Sequence, residues 1–435
     1  MSNSIYLCVL FLIGLSNANR TITLPLQFIN NKYYTAKLFF GSNQQPANLI
    51  VATNTDWLYV TSNNCTDVCE KVSFNRDRST TYDVGKHGHI YNNINFGDVV
   101  MLRGGNSTDQ VVIGSNKSDI VHSYTFFEIT DAKMRGMSNA NGSYKFPFDG
   151  VLGLSLNPQK TADYPPEEGT PLALAMKANG LINQAIVAVD MRNESGSVTF
   201  GGYNESEFKV QDGNMTWIDV HEESWQGEVK HFVYENKTIN DGGSNYAYFD
   251  SLLGGIHLPT SEFTTITNLM TTSHPALSCN YSSTSLQCVI PNSTCEAHVK
   301  HFSPLYLNFI GDQAFELRPE HFLYDKVNST GGNYCQLLIY GNLLYQDRYI
   351  IGNTFMRQHY MVFDYENRRI GINGIQSTVE IHYVEPKIGG MPVWLVILIG
   401  AFILAIVVSV GACLIIKRKY RKLERNLAGY GSLTE

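Results

Sequence analysis

Between residues 21 and 384 the chain is a succession of short apolar runs broken by clusters of Gly, Asn, Asp and Ser. The runs have the length of strands and the breaks have the composition of turns. Lys37-Leu38-Phe39-Phe40, the break from Gly41 to Pro46, and Asn48 to Ala52 predict strand, turn and strand. Tyr360 to Asp364, the turn Tyr365-Glu366-Asn367-Arg368, and Arg369 to Ile372 predict a second hairpin. Helical spacing is sparse, and its best instance is Pro171 to Asn179, with Leu172, Leu174, Ala175 and Met176. The expected architecture is mainly β. A weak internal repeat runs through it. Leu49-Ile50-Val51-Ala52-Thr53 is followed about a hundred residues later by Gly150-Val151-Leu152-Gly153. Tyr246 to Ser251 is followed, about as far on, by Tyr349-Ile350-Ile351-Gly352.

The ends of the chain follow other patterns. Met1 to Ala18 holds the apolar run Ile5 to Ile13 and then Ser16-Asn17-Ala18, which predicts a secretory signal peptide rather than a buried N-terminal strand. Val393 to Ile416 contains no charged side chain and is long enough, at about 1.5 Å per residue, to cross a hydrocarbon layer of roughly 30 Å. Trp394 marks one edge of that stretch. Lys417-Arg418-Lys419-Tyr420-Arg421-Lys422 marks the other and stays cytoplasmic under the positive-inside rule. A single-pass type I membrane protein is expected, with its ectodomain outside the cytosol. The 435 residues exceed what one core supports. The expected layout is a signal at 1–18, a short segment at 19–33, lobes at 34–210 and 211–376, a linker at 377–392, a membrane helix at 393–416 and a tail at 417–435.

Charge and cysteine content change this picture only in detail. The chain carries a net −7, and the tail holds six Lys/Arg against two Glu, so the remainder is acidic and nucleic acid is not an expected partner. Cys8 and Cys413 fall in the signal and the membrane stretch, leaving Cys65, Cys69, Cys279, Cys288, Cys295 and Cys335. An even set in an oxidising compartment predicts three disulfides. Zinc is the rival use of cysteine, but no His/Cys spacing suits it, and neither metal nor cofactor is expected. Asn-x-Ser/Thr acceptors occur at Asn64, Asn106, Asn116, Asn141, Asn193, Asn204, Asn214, Asn236, Asn280, Asn292 and Asn328, and any that carry sugar must be exposed.

Five segments, in order, resemble the pepsin family of aspartic proteases. They are Tyr34 to Pro46, Phe74 to Tyr82, Phe148 to Leu154, Gly196 to Gly202, and Ile350 through Phe363-Asp364 to Gly371. The resemblance implies a bilobal β fold with a substrate cleft between the lobes. It also implies Cys65–Cys69 and Cys295–Cys335 pairs, which leaves Cys279 with Cys288. Family members contribute one Asp-Thr-Gly or Asp-Ser-Gly turn from each lobe, and the two carboxyls share a proton and a water. In this chain the turns align to Ala52-Thr53-Asn54 and Asp250-Ser251-Leu252. One acid is therefore missing, Asp250 is vestigial, and both glycines are replaced. Asp56 could substitute only if a register change redirected it. A lone Asp250 also lacks the like-charged neighbour that raises one pKa of a dyad. The hydroxyls of Thr53 and Ser251 remain and, by resemblance, tie the turns together, while Leu252 crowds the place of substrate and water. The flap aligns to Phe96-Gly97, with a ring but no hydroxyl. In place of a pro-segment about fifteen residues separate Ala18 from Tyr34, with only Arg20 and Lys32 able to pair with cleft acids.

The tail ends Gly429-Tyr430-Gly431-Ser432-Leu433, whose Tyr430 and Leu433 resemble the sorting signal read by clathrin adaptors. The expected function is a membrane-anchored pseudoprotease that binds a peptide or protein ligand in its cleft, at the cell surface or in endosomal and lysosomal membranes. The alternatives are an active aspartic endopeptidase with an atypical site and a structural surface glycoprotein with a filled cleft.

Overall fold

The computed structural model describes residues 20–29, 33–65, 69–84, 90–95, 99–114, 116–134, 148–156, 170–192, 194–207, 214–222, 224–240, 245–281, 286–310, 313–327, 331–342, 347–374, 376–378, 387–388 and 391–430. The signal peptide, Phe96, Gly97, Asn141, Asn193, Asn328 and Leu433 lie outside them. The chain divides into two units, Met1–Ile381 and His382–Glu435.

In the first unit the internal repeat becomes two equivalent constructions. Gln45–Ala52 runs parallel to Gly150–Gly153, with Ala52 opposite Gly153, and Leu58–Thr61 pairs antiparallel to the far side of Gly150–Gly153. In the other half Asn245–Asp250 runs parallel to Arg348–Gly352, with Asp250 opposite Gly352, and Ile256–Pro259 pairs antiparallel to Arg348–Gly352. Ala52 and Asp250 thus occupy the same place in the two halves. The apolar run that ends at Ala52 is continuous because both faces are covered: Leu49, Ile50, Val51 and Ala52 are all buried. The two glycines have a steric cause. A Cβ on Gly153 would stand 2.2 Å from the Trp57 carbonyl oxygen, and one on Gly352 would stand 2.3 Å from that of Leu253. Only a hydrogen fits where a second backbone strand crosses so closely.

A continuous sheet joins the halves. The strands Thr216–Asp219, Arg369–Asn373, Tyr360–Asp364, Ile186–Asp190, Ser197–Phe200 and Ile22–Ile29 lie side by side in that order. The pairing of Val187 with Phe363 and Ala188 with Val362 therefore links residues from the two halves of the sequence. The segment at 19–33, expected as a lead-in, supplies a full strand. Ile22, Leu24 and Leu26 alternate inward, and Arg20 pairs with Asp119 rather than with an acid of the cleft. The hairpin predicted at Tyr360–Asp364 and Arg369–Asn373 is present, as is the helix Leu172–Ala178.

The longest helix described in the first unit is not predicted from the sequence. Thr260–Ser273 is rich in threonine, a weak helix former, but Phe263, Ile266 and Met270 recur on one side and are fully buried. The Thr264, Thr267, Thr271 and Thr272 hydroxyls each donate to the carbonyl four residues earlier. Their polar groups are thereby absorbed into the helix. The disulfides Cys65–Cys69, Cys279–Cys288 and Cys295–Cys335 form as the resemblance implied.

In the second unit a helix runs unbroken over Val393–Tyr430, beyond the expected limit at residue 416. Its stretch Ile397–Arg421 is long and apolar enough to cross a membrane.

Candidate functional site

The turns that follow Gln45–Ala52 and Asn245–Asp250 meet at the centre of the first unit, joined by four buried hydrogen bonds in a two-fold pattern. The Thr53 N–H donates to Ser251 Oγ at 3.1 Å, and the Ser251 N–H donates to Thr53 Oγ1 at 2.9 Å. The Thr53 hydroxyl donates to the Phe249 carbonyl at 2.7 Å, and that of Ser251 donates to the Val51 carbonyl at 2.8 Å. Each hydroxyl both accepts and donates, so neither side chain can rotate without leaving a buried polar group unpaired.

Around this joint the two halves differ. Asp250 is 3% exposed and accepts from the Leu252 N–H on Oδ1 at 2.9 Å and from the Asn54 amide on Oδ2 at 3.0 Å. Burial pushes its carboxyl up to about 7, although the donors Leu252, Asn54 and Leu253 pull the other way. The sequence suggests only that a like-charged neighbour is lacking. Desolvation raises the carboxyl without one. The bond from Asn54 was not expected: its side-chain amide is a donor to the Asp250 carboxyl.

Ala52 presents a methyl group at the equivalent position and is fully buried. Leu252 is fully buried too, and its side chain belongs to one apolar cluster with Ala52, Tyr33, Ile50, Trp57 and Val151. A side chain from the C-terminal half therefore completes the core of the N-terminal half at the junction. Neither Asn54 nor Leu252 has a positive φ, so losing the glycines imposes no left-handed backbone.

Asp56 is 6% exposed, and burial raises its carboxyl to about 7. Its charge acts on Tyr124 and Tyr365, and it does not figure among the groups that shift Asp250. Tyr124 donates to the Thr170 carbonyl and Tyr365 to that of Leu154, so both phenols are held on the N-terminal half's own loops. Among the described residues no group of three or more His, Cys, Asp or Glu is placed to hold a metal.

The sugar acceptors divide by exposure. Asn64, Asn116, Asn204, Asn214, Asn236, Asn280 and Asn292 are exposed. Asn106 is not: it is 4% exposed, within the strand Val99–Ile113 and opposite Phe127. A glycan cannot be accommodated there, and Asn106 is removed from the candidates. Tyr430 is the last residue of the C-terminal helix.

Known proteins align with this frame. Bovine (Bos taurus) pregnancy-associated glycoprotein 2 is 25% identical over 369 residues, covering 82% of this chain and 86% of its own. Pepsin A of Rhinolophus ferrumequinum is 25% identical over 368 residues, covering 82% and 84%. A plasmepsin IV of Plasmodium falciparum is 25% identical over 356 residues, covering 80% and 71%. The family profile described as eukaryotic aspartyl protease matches residues 33–375, a span that takes in both strand–turn constructions and the sheet between them. With its paired turns, its disulfides and this match across most of its length, the chain belongs to the eukaryotic aspartyl protease family.

Proposed function

We propose that this protein is a membrane-anchored, catalytically inactive member of its family that holds a peptide or protein ligand between its lobes without hydrolysing it. The observation that carries the reading is the pairing of Ala52 with Asp250 at equivalent positions of the two turns. Peptide hydrolysis in this family requires one carboxyl to activate water while a second donates to the carbonyl oxygen. A methyl group does neither. The charge of Asp56 acts on Tyr124 and Tyr365, and the Asn54 amide occupies the Asp250 oxygen that a partner acid would share. An extended ligand can still bind by main-chain pairing, which needs no acid.

Purified ectodomain, a peptide library at acid pH and a pepstatin-type inhibitor provide the test. The expected result is no inhibitor-sensitive cleavage. Cleavage that the inhibitor blocks and that Asp250→Ala abolishes would overturn the reading. The burial of Leu252 favours a second reading, a structural surface glycoprotein whose cleft is closed by its own side chains. If Leu252→Gly creates ligand binding that the parent lacks, the second reading is the better one.

The helix Val393–Tyr430 is read as the anchor, with a type I orientation and the basic segment cytoplasmic. Three disulfides suit an ectodomain formed in an oxidising compartment. Tyr430 and Leu433 are read as a clathrin-adaptor signal. Tyr430→Ala is expected to move the protein from endosomal membranes to the cell surface, and an unchanged distribution removes the signal.

A further inference from the structure

The C-terminal helix does not stop where its uncharged stretch ends. It continues from Lys417 to Tyr430, about 21 Å at the rise of an α-helix. No proline interrupts this extension, so its residues keep fixed angular positions. At about 100° per residue, Lys417, Arg418, Arg421, Lys422 and Arg425 fall within an arc of about 140°. They occupy about 12 Å of the axis, and members of the set recur three or four residues apart, the spacing of helix neighbours. The opposite arc carries Tyr420, Leu423, Leu427 and Tyr430. Glu424 stands at the edge of the basic arc beside Lys417, and Lys419 lies outside it.

Retention of a tail in the cytosol depends on the number of positive charges near the membrane, not on their side of a helix. One-sidedness therefore calls for a different cause. The extension begins at the level where the hydrocarbon ends, and the polar headgroup layer beyond is roughly 5–8 Å deep. Lys417 to Lys422 lie within that depth if the helix crosses the bilayer. A rigid face of neighbouring cations at this level matches a headgroup that carries several negative charges at once, and a singly charged headgroup would use only one of them.

We propose that this face is a binding site for polyphosphorylated lipid headgroups in the leaflet from which the helix emerges. The proposal rests on the reading of Val393–Tyr430 as a membrane anchor. The lipid collects on the side of Arg418, Arg421 and Arg425, and the side of Leu423 and Leu427 is left to neutral lipid. Neighbouring cations engage separate phosphates of one headgroup, so the preference should weaken with salt but exceed that for a monoanionic lipid.

The test uses the full-length protein in phosphatidylcholine vesicles with a spin-labelled reporter lipid. Electron paramagnetic resonance then reads the motionally restricted fraction for phosphatidylcholine, phosphatidylserine and phosphatidylinositol bisphosphate. The expected preference for the bisphosphate over phosphatidylserine is about fivefold, a magnitude appropriate to a few surface cations acting together. Arg418→Gln, Arg421→Gln, Lys422→Gln and Arg425→Gln combined should abolish it. A second variant keeps composition and net charge but moves two charges across the helix (Arg421→Leu, Arg425→Leu, Leu423→Arg, Leu427→Arg). It should lose most of the preference for the bisphosphate while keeping that for phosphatidylserine over phosphatidylcholine. Full retention in either variant overturns the proposal, as does complete competition by an equal concentration of soluble inositol phosphate. Failure of the anchor reading looks different: the protein would be released by an alkaline carbonate wash and would restrict none of the three lipids.

Discussion

Thr53 and Ser251 are recognisable in the sequence only as hydroxyl residues after two apolar runs, and their reciprocal bonding depends on the runs converging. Each hydroxyl is saturated by the other turn, so Ser251→Ala leaves the Thr53 N–H buried without an acceptor. The expected loss is about 2 kcal/mol of stability. A double-mutant cycle with Thr53→Ala, followed by denaturant unfolding of the ectodomain, should return a coupling of about 1 kcal/mol or more. Additive losses would mean that the two turns do not brace each other. Asn54 was legible as a missing glycine, but its role was not. Its amide is a donor to Asp250 only because the partner turn places a carboxyl 3.0 Å away. Asn54→Ala should move the Asp250 titration upward from about 7, read by the carboxyl carbon shift in an isotope-labelled ectodomain. A downward or absent shift would show that the bond does not hold in solution.

At the scale of elements, strands were easier to read than helices. The hairpins at Lys37–Ala52 and Tyr360–Ile372 declare themselves because apolar runs and turn residues alternate within a few positions. The helix Thr260–Ser273 was obscured by threonines, whose branched side chains lower helix propensity, although Pro259 and Glu262 mark its start and Phe263, Ile266 and Met270 mark its buried side. Thr265 and Thr272 are exposed in this helix. Thr265→Ala and Thr272→Ala should each stabilise the protein by about 0.5 kcal/mol, seen as a rise in melting temperature. Among the disulfides, Cys295–Cys335 spans 40 positions and Cys279–Cys288 spans 9. Loop entropy gives the longer closure about 4 kcal/mol and the shorter about 2.5 kcal/mol. Paired serine substitutions at 295 and 335 should therefore lower the melting temperature more than those at 279 and 288.

For the whole molecule, buried titratable groups set a pH dependence with two opposing limbs. Asp56 and Asp250 have carboxyls raised by burial to about 7, against an ordinary value of 3.8. The folded state keeps these protons while the unfolded chain releases them above 3.8. Stability from this source is complete at low pH and falls as pH rises to 7. His257 and His359 are pushed down by burial to about 4 and about 3, and His274 is also lowered. Their contribution is complete above 6.5 and is lost as pH falls towards their folded values. Between 6.5 and 7 only the acids act. Below 6.5 the buried histidines oppose the acids, so the fall of the melting temperature with rising pH should be steepest between pH 6.5 and 7. Asp56→Asn combined with Asp250→Asn should flatten the side above pH 6 and raise stability at pH 7.5 by several kcal/mol. A double variant that keeps the parent's slope there would show that neither carboxyl is raised.

The order of apolar runs, the cysteine set and the family segments lie in the sequence because each is a local pattern, and they were sufficient for the mainly β fold and the family. The presence of Ala52 at the end of its apolar run is equally local. What the neighbours of Ala52 do is not. Leu252 closes over the same apolar cluster and Asn54 reaches Asp250, each through a contact between residues that backbone pairing brings together from distant parts of the chain. The exposure of a sugar acceptor follows the same logic. Asn106 carries the same signal as Asn116, and only the packing of Val99–Ile113 against Phe127 buries the first and leaves the second exposed. Burial and pairing across such distances are properties of the folded chain, and no local pattern encodes them.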